Sequence, residues 1–146
     1  MIQYIEGDLL NAGLQAWGHG VNLDGVMGSG IAKQVKREYP EVFAEYQLGC
    51  HSGLLEPGGF QVVEADDGTF VYNLVSQIQQ GPNAQYHLLF TSVVGALKDA
   101  EDKNLTEFGL PLIGCGIGGL DWARVEWYLE RLSNIFTKTR ILVYTI

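Results

Sequence analysis

Apolar and polar positions along the chain fall into short alternating stretches and longer stretches of helical period. Met1 to Ile5 alternates and stops at Gly7-Asp8, which predicts a short strand entering a loop. Leu14 to Val21 predicts a second strand of small residues, and Gly25-Val26-Met27-Gly28-Ser29-Gly30 leads from it into a helix. Ile31, Val35 and Tyr39 share one face of that helix, with Lys33, Lys36 and Arg37 on its solvated surface. Pro40 ends it, having no N–H to donate, and can sit in the first turn of the next helix, which carries Val42, Phe43 and Tyr46. Gly59 to Ala65 and Thr69 to Val75 read as strands joined by a turn at Asp66-Asp67-Gly68. Gln77 to Gln85 is polar, contains Gly81-Pro82-Asn83, and reads as a loop. Tyr86 to Asp102 has helical period through Leu89, Val93, Leu97 and Ala100, and Phe108 to Ile113 is the next strand. After Gly114-Cys115-Gly116-Ile117-Gly118-Gly119, Asp121 suits the start of a last helix with Val125, Leu129 and Leu132 inside. Arg140 to Ile146 closes the chain as a strand. Strands interleaved with helices, plus one hairpin, predict a three-layer α/β/α fold with a central mixed sheet, as a single domain over residues 1–146.

Composition narrows what such a domain does. The chain of 146 residues is 47% hydrophobic and 18% charged, enough to bury a core. No apolar run reaches the roughly 20 residues of a membrane helix, and no signal-peptide pattern opens the chain. Cys50 and Cys115 are too few for a disulfide framework, so a reducing, cytoplasmic setting is the expectation. A monomer is expected. A net charge of −8 disfavours broad nucleic-acid or anionic-membrane binding, yet leaves room for an anion held by backbone amides.

The 19 glycines are the informative excess, and they cluster in the two strand–loop–helix junctions. Glycine lets a ligand approach the backbone, and consecutive amides ahead of a helix form an anion-binding nest. Two such loops facing each other would suit a diphosphate. Gly114, Gly116 and Gly119 formally match a dinucleotide-binding G-x-G-x-x-G motif, but too little chain follows for that fold and no acidic residue ends the last strand. No Walker-type G-x-x-x-x-G-K-[ST] run exists. His51 and His87 lack metal-like spacing, and neither a metal nor a cofactor is expected.

At these residues the sequence resembles the macrodomain family. Gly-Asp-Leu at 7–9, HGVNLDGVMGSGIA at 19–32 and LPLIGCGIGGLDW at 110–122 carry the likeness, which extends to the closing VYTI. It is similar to the branch containing the terminal ADP-ribose protein glycohydrolase, the antitoxin macrodomains opposing DNA ADP-ribosylation, and the yeast-type ADP-ribose 1''-phosphate phosphatase. The resemblance implies an ADP-ribose ligand. It implies that Asp8 accepts a hydrogen bond from the adenine amino group, with a backbone contact at Leu9. It places Asn22 near the distal ribose. Gly28, Ser29, Gly30 and Ile31 match the first phosphate loop, and Gly114, Cys115, Gly116, Ile117 and Gly118 match the second.

The catalytic positions depart from the pattern. Gln77 stands where the glycohydrolases carry a lysine, and an amide forms no Schiff base. The partnering aspartate falls at Gly118, while Asp121 reads as a helix cap. His19 matches the phosphatase histidine and is the candidate general acid–base, with Asn22 beside it; the alternative is a histidine packed at a strand end. Cys115 reads as a small buried loop residue. The resulting expectation is a hydrolase acting on a distal-ribose derivative such as ADP-ribose 1''-phosphate. A non-catalytic ADP-ribose reader and a lysine-free ADP-ribosyl hydrolase are the alternatives.

Overall fold

The computed structural model describes all 146 residues. Ten elements follow in order: β1 (Gln3–Glu6), β2 (Ala16–Val21), α1 (Gly30–Glu38), α2 (Pro40–His51), β3 (Phe60–Glu64), β4 (Phe70–Val75), α3 (Tyr86–Asp102), β5 (Glu107–Leu110), α4 (Trp122–Ile135) and β6 (Arg140–Thr145). A single 3-10 turn at Leu9–Asn11, not foreseen in the sequence, follows β1; the Asp8 carboxylate caps it through the Leu10 N–H. Pro40 opens α2 as expected. Phe108 to Ile113, read as one strand, ends at Leu110 instead. Pro111 has no N–H for the ladder, and its carbonyl accepts from Ile113 N at 2.7 Å, turning the chain into the second glycine loop.

The six strands form one sheet in the order β1-β6-β5-β2-β4-β3, parallel except for the antiparallel β3–β4 hairpin. In the hairpin, Ala65 N donates to Thr69 O, leaving a three-residue loop with Gly68 at φ +87°. Alternation along β4 separates the two faces. Tyr72 and Leu74 pack toward α3 and α4 with Phe108, Leu110, Val93 and Leu129. Val71 and Val75 pack toward α1 and α2 with Trp17, Val21, Val35, Val42 and Tyr46. Helices on both faces of a mixed sheet make the expected three layers. Because β4 and β5 flank β2 in parallel, the loops that follow these three strands gather at their C-terminal ends.

Candidate functional site

Those three loops enclose a cavity of about 320 Å³, within the size range of small-molecule sites. The β2–α1 loop supplies Asn22 and Val26 to Ile31; Ser76, Gln77, Gln80 and Gly81 line a second wall; Pro111 to Gly114 and Gly116 to Gly118 line the third. No lining residue carries an ionisable side chain.

Local chemistry explains each wall. Met27 is buried among Trp17, Val35 and Tyr46 and pins the first loop to the core. Its helix, α1, begins at Gly30 with φ +58°, and Ser29 provides no side-chain cap. The N–H groups of Gly28 to Ala32 therefore have no acceptor in the protein, the first backbone bond being Lys33 N to Ser29 O. With the positive end of the α1 dipole behind them, they have the chemistry to hold an anion. The second loop works differently. Asp121 caps α4 by accepting from Ala123 N at 3.3 Å, as expected, and that helix terminus does not face the cavity. Instead the N–H groups of Gly116, Ile117 and Gly118 are left without protein acceptors. Gly114 adopts φ +77°, which a side chain would strain.

The wall after β4 is held to both others: Leu23 N donates to Ile78 O, Gln80 N to the Asp24 carboxylate, and Ala84 N to Gly118 O. Gln77 faces the cavity, but its Nε2 donates to Gln79 O at 2.6 Å and Gly81 O at 2.9 Å, so its amide braces this wall. In sequence this segment is a polar loop. Its part in the cavity follows from β4 lying beside β2, which the intervening hairpin conceals.

Four of the candidate residues, His19, Asp8, Leu9 and Cys115, are absent from the cavity lining. His19 does not line the cavity. It is fully buried on the α1/α2 face of β2, and its Nε2 lies 2.7 Å from Asn73 Oδ1. Asn73 Nδ2 donates to Gln61 Oε1 and Gln61 Nε2 to Glu45 O, so Asn73 presents its oxygen and His19 Nε2 carries the proton. The row His19–Asn73–Gln61 runs across three adjacent strands in register. His19 Nδ1 has no partner, and burial pushes the ring's pKa down to about 4, the Asn73 bond raising it less. A general acid–base must reach its substrate, and a fully buried ring outside the cavity lining does not, so His19 is the packed histidine. Asp8 and Leu9 also lie outside the cavity lining. Leu9 is buried in the core, and the Asp8 carboxylate accepts from Asn11, Leu10 N and, more distantly, Gln34 of α1. The Asn11 bond leads in holding its pKa below the usual range.

Cys115 turns away from the cavity and packs against the α3/α4 core, its thiol donating to Ile113 O at 3.3 Å. Burial pushes its pKa up to about 11, which removes any thiolate nucleophile near neutrality. Gly118 has no room for a side chain. An added Cβ would lie 2.7 Å from Gly114 O and 2.9 Å from the Ala84 Cβ.

Comparison with known proteins gives this geometry a lineage. Residues 19–129 match the family model of the Macro domain. The chain belongs to the macro domain family. This macrodomain is 34% identical over 139 residues to the DNA ADP-ribosyl glycohydrolase of Mycobacterium tuberculosis, a match covering 93% of this chain and 39% of that protein. The chain thus spans about two fifths of that relative. It is 27% identical over 146 residues to the human ADP-ribose glycohydrolase OARD1, covering 99% of this chain and 91% of that one. Among solved structures, the macrodomain of Mycobacterium tuberculosis DarG superposes with a TM-score of 0.91 at 31% identity, covering 100% of this chain and 98% of that one.

Proposed function

We propose that this macrodomain binds ADP-ribose and hydrolyses a derivative whose distal ribose carries an anionic leaving group, ADP-ribose 1''-phosphate first. The observation that carries the reading is the composition of the cavity: two runs of unpaired backbone N–H groups and no ionisable side chain. The unpaired amides suit a diphosphate held without lysine or arginine. The neutral lining favours chemistry that needs no acid from the protein. A phosphate on an anomeric carbon departs as a stable anion and needs no proton from the protein. Water adds to C1'', the C1''–O bond breaks, its electron pair leaves with phosphate, and the water's proton passes to phosphate or solvent. Asn22 and the loop amides orient the sugar and stabilise the charge that develops. The activities for which the relatives are named, ADP-ribose glycohydrolase and DNA ADP-ribosyl glycohydrolase, support a reaction at the same sugar.

Phosphate release and ADP-ribose release, measured in parallel on ADP-ribose 1''-phosphate and on ADP-ribosylated DNA and protein, test the reading. Phosphate is the expected product, and in ¹⁸O-water the label should enter ADP-ribose rather than phosphate. Label in the phosphate would mean attack at phosphorus and would defeat the mechanism. The same neutral lining favours a second reading, a non-catalytic ADP-ribose reader, and release of neither product decides for it.

Asp8→Ala tests the expected adenine contact. Losing a charge-assisted hydrogen bond should weaken ADP-ribose binding by about 1.5–3 kcal/mol in calorimetry. Unchanged affinity in a folded variant would leave Asp8 with only its capping of the turn at Leu9–Asn11.

A further inference from the structure

Asn22 is the lining residue whose side chain is most tightly held, and its partners come from three directions. Its Oδ1 accepts from Asp24 N at 3.0 Å and from the Tyr46 hydroxyl at 2.7 Å. Its Nδ2 donates to Val26 O at 3.1 Å. The two backbone groups fix which end of the amide is oxygen, because an N–H must face an acceptor and a C=O a donor. An amide oxygen offers two lone pairs and an amide nitrogen two hydrogens. Both lone pairs are taken, and one hydrogen is left. Without the tyrosine a lone pair would also be open.

Tyr46 sits on α2, 24 residues further along the chain, with its ring fully buried in the core. Its hydroxyl lies 2.9 Å from Asn22 O and 3.4 Å from Val26 O as well, but it has one proton, and the shortest contact is to Oδ1. Burial pushes the phenol's pKa above its ordinary value, so it stays a donor across the physiological range. A second α2 side chain, Gln47, holds the same loop at a different point, donating to Gly25 O at 3.1 Å.

We infer that Tyr46 is a positioning residue that restricts Asn22 to presenting a single N–H donor to the cavity, so that this end of the site selects a ligand group offering an acceptor lone pair. The inference rests on the ADP-ribose reading and deepens it: the acceptor is a hydroxyl oxygen of the distal ribose. A group able only to donate, such as an ammonium, is refused there.

Affinities of the wild type, Tyr46→Phe, Asn22→Ala and the double variant for ADP-ribose and for ADP, which lacks the distal ribose, test this by calorimetry. Tyr46→Phe should weaken ADP-ribose roughly five- to twentyfold, the scale of one hydrogen bond to a buried polar group. ADP should change less than about twofold, and in the Asn22→Ala background Tyr46→Phe should cost nothing further, as residues acting through one contact are non-additive. Equal losses for both ligands, a loss that persists without Asn22, or no loss overturns the inference. A wild type that does not prefer ADP-ribose to ADP overturns the underlying ADP-ribose reading instead, and the inference with it. The wild type gives a second measurement that does not depend on a variant folding: the Asn22 side-chain amide protons should shift with ADP-ribose and not with ADP. Their failure to shift counts against the inference equally.

Discussion

Lowering the pH from 7 to 4 should remove about 3 kcal/mol of stability through His19 alone, because its pKa is about 4 in the fold against an ordinary 6.5. The sign follows from which state takes the proton. Between these values the unfolded chain binds it and the fold does not, so stability is fully present above pH 6.5 and drains away as pH falls towards 4. The fold resists protonation because His19 Nδ1 lies in the core with no group to receive its N–H, while Nε2 already donates to Asn73. Asp8 and Asp67, whose pKa values are lowered from 3.8, act in the same direction but below that window. Urea unfolding at pH 7, 5.5 and 4 measures the effect, with His19→Gln as the comparison: glutamine can donate to Asn73 and does not titrate. The variant should lose the acid limb between pH 6.5 and 4. An identical limb in both proteins would place the titration elsewhere.

That histidine also shows where sequence reading reaches its limit. Period-two alternation puts His19 on the same side of its strand as Trp17 and Val21, and both are core residues. What alternation does not give is the neighbour at the same level, and here that is Asn73, with Gln61 beyond it in the next strand. The buried polar row depends on the register of three strands far apart in the chain. A histidine next to a glycine loop looks the same in sequence whether its ring faces the loop or the helices. Features set by one local rule were legible: Pro40 at the head of α2, Gly68 in the hairpin, Asp121 as a cap, Cys115 as an inert thiol. The two glycine loops were legible as a pair, but not their difference. α1 offers uncapped N–H groups whereas α4 is satisfied by Asp121, and only the fold shows that the second loop contributes its own amides. In sequence Tyr46 is one apolar position of a helix that also carries Val42 and Phe43. Its hydroxyl acquires meaning only when α2 packs beneath the loop that holds Asn22.

Gly118→Asp is expected to lower ADP-ribose affinity by about a hundredfold or more, equivalent to about 2.7 kcal/mol. By resemblance this is the position where the protein glycohydrolase carries its aspartate, and Gln77 the position of its lysine, so restoring both residues is the obvious attempt to build that chemistry here. The two positions differ physically. Gln77 is half-buried at the cavity wall beside two carbonyl oxygens, Gln79 O and Gly81 O, which an ammonium could also meet. Gly118 is enclosed. A Cβ there would stand 2.7 Å from Gly114 O and 2.9 Å from the Ala84 Cβ, below any ordinary contact. Neither neighbour is a flexible side-chain end. Gly114 is held at φ +77° by the turn, and Ala84 N is bonded to Gly118 O itself. The loop must move, and with it the unpaired N–H groups of Gly116, Ile117 and Gly118, residues that line the cavity. Forcing atoms into a packed site costs about 1–3 kcal/mol, so the melting temperature should also fall by several degrees. Gly116→Ala is the control for stability, since nothing lies within 4 Å of its added Cβ, and its melting temperature should match the wild type. Calorimetry and thermal unfolding of the two variants separate crowding from the mere loss of a glycine. Wild-type ADP-ribose affinity in Gly118→Asp would mean that the loop opens freely, and that the missing aspartate reflects a different reaction rather than a lack of space.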